Sequence, residues 1–253
     1  MRKQIILLPT IQNTGTWFLV EMLMKHPSVT EFMETRFFSI LSKKPAYHGV
    51  PQSFTKNQKG FSILQLHVDR YEKNPNGARR HFATLMCTSP TVIPIRDPLG
   101  SILTMRERGL KREFRVVYDR MLNRVAIWKE FVQNIPLLQK FTDQIYVLPL
   151  DVLGKQSRKV REATLMAMCQ TIGLPLNTKY LKEAARWPMV HSLGTYAMKR
   201  YYKQSRQDQM MKALGPDVWK ALCDIESDTR PFFEQLGYKN LMWWHDYQKE
   251  QRK

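Results

Sequence analysis

Short apolar runs alternating with stretches of helical length constrain this chain more than any other feature. Ile5-Ile6-Leu7-Leu8-Pro9, Phe61 to Val68, Thr91 to Ile95 and Ile145 to Leu150 are rich in aliphatic side chains and read as strands, although Pro94 removes one ladder donor from the third. Between them the period changes. Phe18-Leu19-Val20-Glu21-Met22-Leu23-Met24 is an apolar helical run, and Gly77 to Met86 has helical character. Phe114 to Asn134 carries Val117, Met121, Val125, Trp128 and Val132 as a stripe of helical period. Ser157 to Ile172 is a helix stopped by Gly173 and Pro175, and the chain from Tyr180 onward is mainly helical. Val29 to Leu41 receives no assignment. Ser42 to Gly60, rich in Lys, Pro, Gly and Gln, reads as a loop where binding specificity could reside. Strands separated by helices predict an α/β fold with a central parallel sheet flanked by helices on both faces. Ligands then sit beyond the carboxyl ends of the strands.

At 253 residues and 43% hydrophobic content the chain can bury the core of one α/β domain, expected to span 1–253 with a helical part from about 180 to 253. Forty Lys and Arg against 22 Asp and Glu give a net charge of +18, a field that concentrates nucleotides, anionic sugars, nucleic acid or acidic membranes. Cys87, Cys169 and Cys223 form no C-x-x-C pair, which argues against a disulfide framework and a thiolate zinc site and fits a reducing cytoplasm. The N-terminal apolar run is too brief for a signal segment, and no stretch reaches about eighteen uninterrupted apolar residues. A soluble, cytoplasmic protein is expected. Nothing in the sequence sets an oligomeric state.

Two segments carry the chemistry. After the first strand, Thr10-Ile11-Gln12-Asn13-Thr14-Gly15-Thr16-Trp17 forms a small polar turn into a helix. Backbone N–H groups without intrahelical partners converge there, which suits a phosphate or sulfate. The turn is not a Walker A loop, because G-x-x-x-x-G-K-[ST] is absent and no lysine lies between Lys3 and Lys25. After the third strand comes Arg96-Asp97-Pro98. Asp97 is a good N-cap and Pro98 a good first helical residue, which puts Arg96 at the strand's carboxyl end. The Arg96 fork can hold a phosphate bidentately, and Ser101 and Thr104, three apart on a helix, can add hydroxyl donors.

Together these segments resemble the sulfotransferases that use 3′-phosphoadenosine-5′-phosphosulfate. In that family a loop of the form Lys-Ser-Gly-Thr-Thr-Trp holds the 5′-phosphosulfate, and the matching residues here read Asn13-Thr14-Gly15-Thr16-Trp17. A second signature, Arg-Asn-Pro with a serine eight positions after the arginine, holds the 3′-phosphate. Here it reads Arg96-Asp97-Pro98 with Thr104 at the eighth position. His26-Pro27-Ser28-Val29, Met33 to Phe38, Ile63 to Val68, Tyr146 to Leu153, Ile172 to Pro175 and Phe232 to Tyr238 are similar to further family segments, so that the likeness covers most of residues 4 to 238. The resemblance implies a P-loop-like nucleotide-binding fold, the nucleotide sulfate as donor and adenosine 3′,5′-bisphosphate as product, with no metal required. It also implies adenine stacking on Trp17, or on Phe18 in a shifted register. The sequence departs from the family at Asn13, or at Gln12 if the loop is shifted by one, where the family carries a lysine; Lys199, Arg200 and Lys203 are the candidates to replace its charge.

Two residues compete as the base for an attacking hydroxyl. His67 resembles the histidine of the cytosolic branch and has an ordinary pKa near neutrality; Glu34 resembles the glutamate of the carbohydrate and tyrosine branches. His67 is the first choice. The acceptor pocket, drawing on Trp187, Tyr196, Tyr201 and Tyr202, would admit small phenols, sugars, lipids or peptides. A basic nucleic-acid-binding protein is the alternative suggested by charge and by Lys199-Arg200-Tyr201-Tyr202-Lys203, but it lacks an accompanying signature. A nucleotide kinase is disfavoured by the missing loop lysine.

Overall fold

The computed structural model of the chain describes residues 4–11, 16–35, 60–67, 84, 86–96, 98, 101–102, 114–186 and 214–237. Two compact units divide the chain: Met1–Ile95 with Ile135–Pro188, and Arg96–Asn134 with Met189–Lys253. The first holds β1 (Gln4–Thr10), α1 (Thr16–Met24), β2 (Val29–Thr35), β3 (Phe61–His67) and β4 (Thr91–Ile95). It also holds the end of α2 (Phe114–Leu138), β5 (Ile145–Pro149), α3 (Leu150–Lys155), α4 (Arg158–Thr171) and α5 (Thr178–Ala184). The second holds most of α2 together with α6 (Pro216–Gln235).

The protein is an α/β protein built on a five-stranded sheet of order β2-β3-β1-β4-β5, with every pairing parallel. Central strands of such a sheet are covered on both faces, and β1 and β4 accordingly read as unbroken apolar runs: Ile6 to Thr10 and all of β4 are buried. From β1 the chain runs to β2 on one side, whereas from β4 it runs to β5 on the other. Since β1 and β4 are neighbours, the connections diverge between their carboxyl ends. That is a topological switch point.

The strand expected over Phe61 to Val68 is β3, and those expected at Thr91 and Ile145 are β4 and β5. One strand was not anticipated. Val29–Thr35 forms β2 at the sheet edge, with a register shift between Val29 and Glu31. Thr30 is exposed and Glu31 half-buried there, so the segment lacks the apolar run of the inner strands. The helix expected over Gly77 to Met86 lies mostly outside the described residues; residues 84 and 86–88 are helical.

In α1 the buried residues Thr16, Leu19, Val20, Met22 and Leu23 share one side, leaving Trp17 60% exposed. The helix closes with a tight final turn, in which His26 N–H donates to Leu23 O at 2.9 Å. In α4, Ser157 Oγ caps the Val160 N–H at 3.3 Å, and Gly173 adopts φ +69 just past the end. Within the second unit, Trp128 of α2 stacks on Phe233 of α6 at 5.3 Å, and Tyr118 donates to Asp217 Oδ2 at 2.6 Å. Met121, Val125, Trp128 and Val132 of the expected stripe are buried; the Val117 side chain lies outside the described set.

His26 ties distant parts of the first unit together. The ring is 1% exposed, Nε2 lies 2.9 Å from Pro175 O, and Nδ1 accepts from Ser28 N–H at 3.1 Å. A carbonyl at one nitrogen and a donor at the other define the neutral Nε2-protonated tautomer. Burial lowers the His26 pKa, against a smaller opposing effect of the Pro175 carbonyl. The neutral ring's contribution is complete above the ordinary value of about 6.5 and is lost as pH falls through the lowered folded value. The expected outcome is that His26→Gln costs about 1–3 kcal/mol at pH 7 and flattens the fall in stability between pH 7 and pH 5. Denaturant titrations across that range check it, and parallel slopes for the two proteins would refute it.

Candidate functional site at the carboxyl ends of the strands

The register places the two candidate bases on one face of the sheet. Thr10 pairs with His67, while Leu8 and Glu34 flank Gln65 on either side. Paired residues of parallel strands share a face, as do residues two apart, so Thr10, Gln65, His67 and Glu34 occupy the same face. Glu34 lies one pleat back from His67 and one strand over, about 8 Å away between Cα atoms. The side chains of Glu34 and His67 themselves lie outside the described set.

Sequence reasoning missed the polar pair that this face buries. Thr10 and Gln65 are 1% and 3% exposed. Gln65 Nε2 donates to Thr10 Oγ1 at 3.3 Å, and Thr10 Oγ1 donates to the Leu66 carbonyl at 3.4 Å. Both are long hydrogen bonds, and they give the buried Gln65 amide nitrogen and the buried Thr10 hydroxyl a partner each. The available signal was a glutamine flanked by leucines two residues before His67. Thr10 is the last residue of β1, so this pair lies at the carboxyl end of the strand.

Of the residues expected in that turn, Asn13, Thr14 and Gly15 lie outside the described residues. Thr16 is buried as the first residue of α1. Trp17 is not a core residue: its ring is exposed and meets Phe32 of β2 edge-on at 5.8 Å, whereas Phe18 is half-buried. An exposed aromatic face at the start of α1 is free of the core packing that the amphipathic pattern alone would assign to it.

Arg96 follows β4 directly and is 5% exposed. Ser101, also buried, lies in helical conformation, as does Pro98. Asp97 and Thr104 lie outside the described residues, as do Trp187, Tyr196, Lys199, Arg200, Tyr201, Tyr202 and Lys203. Cys169 is inert, since burial pushes its thiol up to about 12. Among the described residues no group of three or more His, Cys, Asp or Glu could hold a metal ion, and no helix is long and apolar enough to cross a membrane.

Among solved structures, the chain is similar to a mouse sulfotransferase complexed with PAP, at 14% identity over 87% of this chain and 88% of that one with a TM-score of 0.44. It is similar also to a sulfotransferase from Alicyclobacillus acidocaldarius, at 11% identity over 87% of this chain and 99% of that one, again with a TM-score of 0.44. No family model and no curated protein matches the chain.

The Thr10–Gln65 contact is testable by itself. Thr10→Val, Gln65→Leu and the double variant should each fold, with the two changes coupled by about 1 kcal/mol in a double-mutant cycle of unfolding free energies. Additive losses would mean that the two side chains act independently.

Proposed function

We propose that the chain is a sulfotransferase that moves a sulfuryl group from 3′-phosphoadenosine-5′-phosphosulfate to an acceptor hydroxyl or, less readily, an amine. The observation that carries this reading is the switch point between the β1 and β4 tips, where a doubly wound sheet binds its ligand. The segment after each of these two strands carries one of the paired family signatures, residues 13–17 and 96–98. The buried Arg96 and the exposed Trp17 ring suit a nucleotide with a charged phosphate and a flat base. A cytoplasmic enzyme with a nucleotide donor and a small-molecule or carbohydrate acceptor is the corresponding cellular reading.

In this scheme Arg96, with Ser101 and Thr104, holds the 3′-phosphate through charge-assisted hydrogen bonds. Asn13, Thr14, Gly15 and Thr16 line the 5′-phosphosulfate, Gly15 permitting close backbone approach, and Trp17 offers its face to adenine. His67 takes the acceptor proton as the acceptor oxygen bonds to sulfur, and the bond from sulfur to the bridging oxygen breaks. Adenosine 3′,5′-bisphosphate leaves with that electron pair. Such an in-line transfer needs positioning and donors aimed at developing charge, and it does not require a metal. Lys199, Arg200 or Lys203 would supply the charge that Asn13 does not.

Thermal unfolding with adenosine 3′,5′-bisphosphate, AMP and ATP tests the donor. At a hundredfold excess over Kd the bisphosphate should stabilise the chain by about 2.7 kcal/mol, with AMP at equal concentration giving less. Arg96→Lys should weaken the bisphosphate about tenfold while leaving AMP nearly unchanged, because the bidentate fork is lost. Equal responses to all three nucleotides would remove the assignment, and a salt-sensitive complex with generic oligonucleotides instead would favour the nucleic-acid alternative.

The order of the bases is tested by kcat. His67→Ala should lose about a hundredfold or more, with Glu34→Ala losing less. Retained turnover in the first variant and abolished turnover in the second would reverse their roles.

A further inference from the structure

β2 carries one residue more than the stretch of β3 it pairs with. Val29 pairs with Phe61 and Glu31 with Ser62, so Thr30 is the extra residue of a bulge, and from Glu31 to Thr35 the two strands run in step. Two hydrogen bonds agree with that register. Thr30 Oγ1 donates to the Phe61 carbonyl at 3.3 Å, and Ser62 Oγ donates to Glu31 Oε2 at 3.3 Å. Because side chains alternate between the faces of a sheet, one extra residue reverses every position after it. An unbroken register from Val29 would pair residue 31 with Ile63 and residue 32 with Leu64, leaving Phe32 on the face away from Gln65. With the bulge, Phe32 pairs with Ile63 and shares a face with Glu34, Gln65 and Thr10.

On that face Phe32 meets α1. Its ring lies 5.8 Å from the Trp17 ring between centroids, at an interplanar angle of 62°. Trp17 is the second residue of α1, and a helical side chain leans back toward the amino end of its helix, so the indole leans toward the turn that carries the anion signature. It is 60% exposed, and among the described residues its ring contact is with Phe32. An edge-on pair leaves at least one face of the indole open, whichever ring supplies the edge. An exposed indole without such a contact turns among its rotamers and must be ordered when a ligand stacks on it. That ordering weakens binding.

We propose that Phe32, turned toward α1 by the bulge at Thr30, is a positioning residue that holds the Trp17 ring ready for the flat base of a nucleotide. That the base is adenine rests on the sulfotransferase reading; the holding of the ring does not.

The experiment compares Phe32→Leu, Phe32→Tyr, Trp17→Leu and the double variant Trp17→Leu/Phe32→Leu. Phe32→Leu should weaken adenosine 3′,5′-bisphosphate about fivefold, whereas abasic ribose 3,5-bisphosphate should bind it as it binds the wild type. Phe32→Tyr, which keeps the ring, should bind both as the wild type does. Once Trp17 is gone, Phe32→Leu should add no further loss. In ligand-free protein labelled with 5-fluorotryptophan, the Trp17 fluorine resonance, identified by its disappearance in Trp17→Leu, should shift in Phe32→Leu while the other five tryptophans keep their positions. An unmoved Trp17 resonance, equal weakening of the two bisphosphates, or a full further loss in the double variant would overturn the proposal. Should the wild-type chain itself fail to bind adenosine 3′,5′-bisphosphate, the sulfotransferase reading falls, and the fluorine resonance alone then decides whether Phe32 holds the ring.

Discussion

The ladder between β1 and β3 anchors the first unit. Its seven register pairs run from Gln4 with Phe61 to Thr10 with His67, the full length of both strands. Residues far apart in sequence are locked there without a slip, and because the side-chain period of a strand is two, a slip of one residue would turn the whole set to the opposite face. The positions of Thr10, Gln65 and His67 relative to one another follow from that register.

Beyond the ladder the sheet changes character. On one side of β1 the pairing is complete, whereas on the other it stops after Leu7 and Thr91. The strand tips also carry costly groups. Thr10 and Gln65 are buried polar side chains that need each other, and Arg96 is a cation held almost entirely out of water. Removing an ion from water costs several kcal/mol even after relaxation. The amino ends are simpler: Gly60, at φ +118, lets the chain enter β3 where a Cβ would meet the Ser28 carbonyl oxygen at 2.8 Å.

How much of this was legible in the sequence depended on burial. Strands covered on both faces, such as Leu7-Leu8 in β1 and Val92-Ile93 in β4, advertise themselves as apolar runs, and the Met121 to Val132 stripe of α2 advertises a helix. The edge strand β2 did not, because Thr30 and Glu31 interrupt it. The helix read over Phe114 to Asn134 continues to Leu138, with Pro136 on its exposed side. At the site, Arg96 and the turn residues could be picked out by motif. Gln65 could not, since its importance lies in a partner 55 residues away, visible once β1 and β3 are paired. The common face of Glu34 and His67 is likewise a property of register and not of spacing along the chain.

The His26 ring reaches a carbonyl 149 residues further along the chain. A ribosome adding about 5–20 residues per second needs roughly 7–30 s to make that stretch, and longer before Pro175 clears the exit tunnel. For that interval the turn between α1 and β2 exists without its keystone, and the imidazole remains hydrated and free to titrate. Until that segment is made, the Nε2–H of the ring has water in place of the Pro175 carbonyl, so this one tie between the start of the unit and its later helices forms last.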